Sequence, residues 1–414
     1  MRFYLPFIIL PVIIISIDLY VYYGKRHVLK FLRKEWLKII AKIGFWLVPL
    51  IALSGLAYIF FNRPIHSDTF YYQRISLFLA FVTLFYLPKI VFMVFVLADH
   101  LYRLFRWLLS IRRTTVRNSG SRRKFILNTG LLVSAIPFLS LLHGVTRGKY
   151  LFQVHDIPIR FRQLPLAFNG FRIIQISDLH INAFVKNEDH LLRAVELINS
   201  ENPDLVLFTG DMVNNNSNEL VPFVSILKKI KSSYGKFSIL GNHDYGDYTN
   251  WPSDQEKQAD HNQLIRLQEE AGFRVLRNEN VNIERDGAKI ELIGVENYGK
   301  PPFPKYGNLK DAMSGTDSSG FKLLMSHDPS HWDLEVRGQP DIALTLSGHT
   351  HGMQMGIEIP GFKWSPVQYK YPRWAGLYEE QNQFLYVNRG LGYIGYAGRA
   401  GIYPEITSFE LKSV

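Results

Sequence analysis

Five apolar runs in the second part of this chain each stop at Asp, His or Asn, and that repetition constrains the fold more than any other feature. Residues 171–177 lead into Asp178-Leu179-His180, and 205–209 into Gly210-Asp211. Residues 237–240 lead into Gly241-Asn242-His243-Asp244, and 321–326 into His327. The last run, 342–346, leads into Ser347-Gly348-His349-Thr350-His351-Gly352. Short apolar runs bounded by turn residues read as buried strands. In open α/β sheets ligands gather beyond the carboxyl ends of the strands, so metal-ligating side chains from separate segments converge. If the last segment stays extended, His349 and His351 point the same way and reach one locus, with Gly348 and Gly352 letting the backbone turn around it.

This ordered series, Asp-x-His, Gly-Asp, Gly-Asn-His-Asp, His and Gly-His-x-His, resembles the calcineurin-like metallophosphoesterase superfamily over residues 154–414. The resemblance implies one metal held by Asp178, His180, Asp211 and His351, and a second held by Asp211, Asn242, His327 and His349, with Asp211 bridging. It also implies that His243 is an uncoordinated histidine beside the substrate phosphoryl group. Two divalent cations about 3.5–4 Å apart would clamp an in-line displacement at phosphorus and acidify a water between them. A carboxylate has the charge and the two oxygens that bridging requires, which suits Asp211. Imidazole, carboxylate and amide ligands without thiolate favour Mn, Fe or Zn. Asp244 is expected either to orient His243 or to serve as a turn residue.

Charge divides the chain. Residues 1–149 carry 21 Lys+Arg against 4 Asp+Glu, and the remainder carries 26 against 32. A net acidic catalytic segment argues against nucleic acid as a partner. The absence of cysteine excludes disulfide and thiol chemistry without choosing a compartment.

Within 1–149, the stretches 5–23, 43–61, 75–98 and 126–145 are each long enough, at about 20 residues, to cross a bilayer as a helix. The connection 24–42 holds Lys25, Arg26, Lys30, Arg33, Lys34, Lys38 and Lys42; the connection 99–125 holds Arg103, Arg106, Arg112, Arg113, Arg117, Arg122, Arg123 and Lys124. The short link 62–74 has only Arg63 and Arg74. Basic connections stay in the cytoplasm, so the expectation is an inner-membrane protein whose fourth span delivers residues 150–414 to the extracytoplasmic side. Ser121-Arg122-Arg123-Lys124-Phe125-Ile126 also resembles a twin-arginine export signal, and its arginines serve equally as ordinary cytoplasmic charges. Asp18 and Lys89 fall within spans at comparable depth, and an intramembrane pair between them is expected.

The expected architecture is α/β, with N-terminal transmembrane helices (1–149) followed by an αββα sandwich of two mixed sheets (150–414). A lead strand at 153–160 opens the second part. Residues 188–199 read as a helix through Leu191, Leu192, Val195 and Ile198, and a second apolar helical face carries Leu220, Phe223, Val224, Leu227 and Ile230. A third helix is expected at about 261–271, then strands at 273–276, 281–285 and 289–295. Loops at 245–257, 298–320 (with Pro301, Pro302 and Pro304) and 360–374 are expected to shape the pocket. The last interleaves Phe362, Trp364, Tyr369, Tyr371 and Trp374 with Lys363, Lys370 and Arg373, a composition that suits a bilayer interface or lipid headgroup. It suits equally a loop folded over the core. Arg389 and Arg399 are candidates for phosphate contact or for structural ion pairs.

Together these features imply a membrane-anchored phosphoesterase with two divalent metals, acting on a phosphate ester of lipid or cell-wall origin. The combination resembles bacterial envelope phosphodiesterases and, more distantly, UDP-diacylglucosamine pyrophosphohydrolases, which act on the cytoplasmic side. The alternatives are a catalytically silent metal-binding sensor, which would be expected to have lost a ligand or His243, and a transporter subunit, which would need more polar residues along its spans.

Overall fold

The computed structural model describes residues 5–29, 34–62, 69–110, 120–301, 303–339 and 341–414. Lys30, Arg33, Arg63, Arg112, Arg113, Arg117 and Pro302 lie outside them. The chain divides into two compact units, Met1–Pro64 with Arg74–Val145, and Ile65–Gln73 with Thr146–Val414.

The first unit is helical: α1 (Leu5–Leu29), α2 (Glu35–Phe61), α3 (Thr69–Ser110) and α4 (Gly120–Thr146). All four are long and apolar enough to cross a membrane. Each extends beyond the apolar stretch that marks it, so much of the expected connections 24–42 and 99–125 is helix. The α3 flank Leu101-Tyr102-Arg103-Leu104-Phe105-Arg106, for example, has neither Gly nor Pro to stop the helix. Asp18 is fully buried; it pairs with Lys89 (Nζ–Oδ1 2.5 Å) and accepts from Tyr86 Oη (2.7 Å). The Lys89 ammonium also lies over the rings of Tyr86 and Phe45. The arginines of the twin-arginine-like stretch turn to the buried Asp99: Arg123 Nε is 3.3 Å and Arg122 Nη2 3.6 Å from its carboxylate, with Arg103 at 3.1 Å.

The second unit is built on strands β1 (Gln153–Phe161), β2 (Arg172–Ile176), β3 (Leu205–Phe208), β4 (Lys236–Ser238), β5 (Phe273–Val275), β6 (Glu279–Arg285) and β7 (Ala288–Gly294). These are followed by β8 (Lys322–Met325), β9 (Ile342–Ser347), β10 (Ile357–Ile359), β11 (Phe362–Trp364), β12 (Gly376–Glu380), β13 (Gln383–Val387) and β14 (Glu405–Ser413). One six-stranded sheet has the order β1-β14-β2-β3-β4-β5, the other β12-β13-β9-β8-β7-β6. Both are mixed: β2 to β5 run parallel and β14 antiparallel to β2, while β13, β9, β8 and β7 run parallel between antiparallel partners β12 and β6.

Strand alternation sorts the core into layers. Ile173, Leu205, Leu207, Leu292, Leu323 and Leu344 fill the space between the sheets. Ile174, Ile176, Val206 and Phe208 face the other way, onto α5 (Glu188–Ser200) and α7 (Asp254–Glu270). The outer face of the second sheet carries Ile293, Leu324, Ile342 and Leu385 under Trp332 and Leu309. The α/β sandwich with two mixed sheets is therefore the observed fold.

Two helices differ from expectation. Between β3 and β4 there is only one α-helical turn, α6 (Val224–Leu227), preceded by 3-10 turns. Pro222 and the polar run Asn214–Ser217 do not sustain a longer helix, because proline lacks the amide donor and Asn and Ser favour turns. Leu220, Phe223, Leu227 and Ile230 are still buried. Conversely, α7 starts seven residues before the expected position, because Ser253 caps it by accepting from the Glu256 amide. Part of the expected loop 245–257 is thus helix.

Candidate metal centre

The parallel strands of both sheets end at one place. Asp178 N–H donates to Gly210 O (2.9 Å) and His180 N–H to Asp211 O (3.1 Å), joining the ends of β2 and β3. Gly348 N–H donates to His327 O (2.9 Å), joining β9 to β8. Gln175 Nε2 crosses from the first sheet to Ser347 O in the second (2.9 Å), and both Asp178 oxygens accept the His349 amide (3.0 Å). A Cβ on Gly348 would overlap the Asp178 carboxylate, and one on Gly241 would overlap that of Asp211. These two positions therefore require glycine.

Asp178, His180, Asp211, His349 and His351 all adopt left-handed backbone (φ +49°, +39°, +62°, +72° and +51°). Non-glycine residues there cost on the order of 1 kcal/mol or more each and persist when the surroundings over-determine them. This conformation also corrects the extended reading of the His349–His351 segment. With β9 ending at Ser347, the two imidazoles diverge, and each joins a different cluster.

The first cluster is Asp178, His180 and His351; the second is Asp211, His327 and His349. His180 Nε2 and His351 Nε2 face each other at 3.1 Å, and His351 Nε2 is 3.1 Å from Asp178 Oδ1. Asp211 Oδ2 lies 3.2 Å from His327 Nε2 in its own cluster and 3.6 Å from His180 Nε2 in the other. One carboxylate oxygen thus stands between the two clusters. Asn242 Oδ1 is 2.9 Å from His349 Nδ1, which adds an amide oxygen to the second cluster. The structure therefore brings all seven sequence-derived candidate ligands together.

The donor set fits divalent cations. All seven candidates are buried or nearly so. Burial opposes ionisation of Asp211, but His327, His243 and His180 outweigh it and hold its pKa well below the carboxylate range. Burial likewise opposes charge on His327, yet Asp211 prevails and raises that imidazole to about 10. The carboxylate field thus draws positive charge to the place a cation would take. Burial, reinforced by His351, keeps His180 neutral, the form in which imidazole ligates. His327 Nδ1 is 2.7 Å from Thr209 O, which directs Nε2 inward.

His243 stands beside the first cluster, its ring centroid 5.0 Å from that of His180. Its backbone amide donates to Asp211 Oδ1 (2.8 Å), and its Nδ1 faces Asn214 O (2.8 Å), leaving Nε2 without a hydrogen-bond partner among the described residues. Asp244 does not orient this imidazole. Its carboxylate accepts the backbone amides of Gly241, Asp211, Met212 and Val213, the role of a turn residue. The orienting group is Asn214, held in turn by the buried Glu219, which accepts from Asn214 N–H (2.6 Å) and Asn215 Nδ2 (3.2 Å). Burial raises the Glu219 carboxyl to about 7. The Asn214–Asn216 run marks a turn in the sequence, but nothing there marks Glu219 as its anchor.

The rim is aromatic. Tyr371 Oη is 2.8 Å from His349 Nε2, and Tyr248 Oη accepts from Asn242 Nδ2 (3.0 Å). Phe303 packs edge-on against His349. The 360–374 segment is therefore divided: Tyr371 and Trp374 are buried with Val367, Ala375 and Ile402, whereas Phe362 and Tyr369 are exposed. Arg389 and Arg399 take their structural roles. Arg389 pairs with Glu405 and Glu358, and the fully buried Arg399 donates to Arg389 O and Gly392 O, with Nη2 3.3 Å from His351 Nδ1.

Comparison with known proteins agrees with this architecture. Residues 171–353 match the family described as calcineurin-like phosphoesterase, and residues 1–149 match the family described as probable calcineurin-like phosphoesterase, transmembrane domain. The uncharacterized metallophosphoesterase YkuE of Bacillus subtilis is 32% identical over 71% of this chain and 98% of its own length. The phosphodiesterase YaeI of Escherichia coli is 29% identical over 70% of this chain and 99% of its own. The UDP-2,3-diacylglucosamine pyrophosphatase LpxG of Chlamydia muridarum is 26% identical over 57% of this chain and 81% of its own. With four helices suited to a membrane ahead of the two-sheet domain, the chain belongs to the calcineurin-like metallophosphoesterases, enzymes that hydrolyse phosphoric esters.

Proposed function

We propose that the chain is a membrane-held phosphodiesterase that cleaves a lipid-linked or cell-wall phosphodiester, with its catalytic domain on the extracytoplasmic side of the inner membrane. The observation that carries the reading is Asp211 Oδ2, set between an imidazole of each cluster, with His243 directed at the same space. In this reading Asp178, His180, Asp211 and His351 hold one cation, and Asp211, Asn242, His327 and His349 the other, Mn, Fe or Zn being favoured by the donor set. When bound, such a pair would supply an acidified water and would offset charge on phosphorus. With Nδ1–H held by Asn214 O, which keeps the ring turned that way, His243 in its doubly protonated form would donate from Nε2 to a phosphoryl oxygen or to the departing alkoxide. The phosphodiester class is supported by the similarity to YaeI, and the topology by the basic residues before the second and fourth spans.

A second reading, a nucleotide-lipid pyrophosphatase on the cytoplasmic side, is favoured by the similarity to LpxG. The full chain in detergent, loaded in turn with Mn, Zn, Fe or Mg, separates the readings on a panel of phosphodiesters, phosphomonoesters and a nucleotide-diphospho-lipid. Protease accessibility of the catalytic domain in sealed vesicles of known orientation reports the side. Preferential diester hydrolysis with the domain extracytoplasmic is the expected result. Selective cleavage of the diphosphate, or a cytoplasmic domain, would overturn it in favour of the second reading.

A further inference from the structure

The hairpin formed by β10 and β11 sorts its side chains by face. Ile357 pairs with Trp364, Glu358 with Lys363 and Ile359 with Phe362, and cross-strand partners share a face. Both residues of the polar face are fastened to the domain. Glu358 pairs with Arg389 (2.5 Å), and Lys363 Nζ donates to Ala375 O (2.5 Å). The other face is wholly apolar, and Ile357, Ile359 and Phe362 are 52%, 58% and 52% exposed. The polar face thus holds the hairpin down while the apolar face is presented outward.

The segment that follows the hairpin reaches the metal centre. Tyr369 is 80% exposed, and the Lys370 ammonium lies over the rings of Phe303 (4.8 Å) and Tyr371 (5.4 Å) without a carboxylate partner among the described residues. Tyr371 in turn reaches His349. An apolar face, an exposed tyrosine and a cation without a carboxylate partner among the described residues, all within the segment 357–371, match the chemistry of a bilayer interface, where aromatic rings sit at headgroup depth and ammonium groups meet lipid phosphate.

We propose that the 357–364 hairpin is a membrane-docking element that rests its apolar face at the headgroup–acyl boundary and thereby turns the metal centre toward phosphate groups at the lipid surface. The occupant is a bilayer because four apolar helices of the same chain keep this domain beside one, so the lipid surface is always at high effective concentration. A second copy fits less well. Four partly exposed side chains fall short of the roughly 800 Å² per partner that a stable dimer buries.

The sequence has no cysteine, so a single one introduced by Phe362→Cys can carry an environment-sensitive fluorophore on the full chain in lipid nanodiscs. Asp286→Cys, at the exposed turn after β6, is the control. Nitroxide-labelled acyl chains should quench the label at 362 at least about twofold more than the label at 286. A label at 362 that stays solvent-like, or that responds only to protein concentration, would overturn the proposal, the latter in favour of self-association.

A second arm rests on the lipid-substrate reading above. Ile359→Asp with Phe362→Asp should slow hydrolysis of a bilayer phosphodiester about tenfold while sparing soluble bis(p-nitrophenyl) phosphate. Equal loss on both substrates, or no loss on either, would contradict an orienting role. Should the wild type cleave the soluble diester and no lipid, the substrate reading falls while the quenching arm still decides docking.

Discussion

The Asn214 carbonyl oxygen lies 2.8 Å from Nδ1 of His243, and this contact, rather than one from the adjacent Asp244, sets which ring nitrogen faces the space between the clusters. It depends on Glu219, whose buried carboxylate holds the Asn214 amide and the Asn215 side chain.

The first prediction concerns that chain of contacts. His243→Ala should lower kcat by roughly 10²–10⁴ while metal content stays normal. Glu219→Ala should lower kcat about tenfold with little change in KM, because it releases the loop rather than a group that touches substrate. If Glu219 acts through His243, the double variant will be no slower than His243→Ala alone. Multiplying losses in a steady-state double-mutant cycle would show instead that the two act independently.

Metal stoichiometry tests the central position of Asp211. Asp211→Ala should abolish binding at both sites, whereas Asp178→Ala and Asn242→Ala should each spare one. Elemental analysis after desalting gives the count. Retention of one full equivalent by Asp211→Ala would mean that its carboxylate is not shared.

Within the membrane unit, Asp18 and Lys89 hold one another in a buried environment. Asp18→Asn or Lys89→Met alone leaves a buried charge and should destabilise by about 3–5 kcal/mol, whereas the two together should recover part of the loss. Thermal unfolding in detergent reads this directly, and a double variant worse than either single would exclude the pairing as the cause.

Acid sensitivity should arise in part at His331. The imidazole is fully buried, with Nδ1 2.8 Å from Ser326 Oγ and Nε2 3.1 Å from Glu335, and burial lowers it to about 4 despite that carboxylate. Between about pH 6.5 and 4 the unfolded chain binds this proton and the folded chain does not, so stability falls as pH falls through that window. The effect is on the order of 2–3 kcal/mol. In metal-free samples His331→Gln should show a shallower decline in melting temperature from pH 7 to 4.5 than the wild type. Parallel curves would assign the acid sensitivity elsewhere.

The strands that lead to the site and the identity of the converging side chains were legible in the sequence, because a buried strand must be apolar and its end must carry the chemistry, whereas the order of those strands in the two sheets came from the fold. Asp178, Asp211, Asn242, His327 and His349 are each legible at the end of such a run. The four membrane-length helices were legible for a similar reason, since a bilayer demands a long uninterrupted apolar stretch. The resemblance implied that His349 and His351 serve different metals, but the backbone that separates them came from the fold: both have positive φ, and the His349 amide is held by the Asp178 carboxylate, an arrangement that local propensity does not favour. The assignment of Asn214 and Glu219 to His243 came from the fold as well, across 29 residues of chain. The partition of the 360–374 segment into a buried half and an exposed hairpin belongs to the same class. One aromatic-basic composition serves either environment, and the anchors at Arg389 and Ala375 that choose between them lie elsewhere in the sequence.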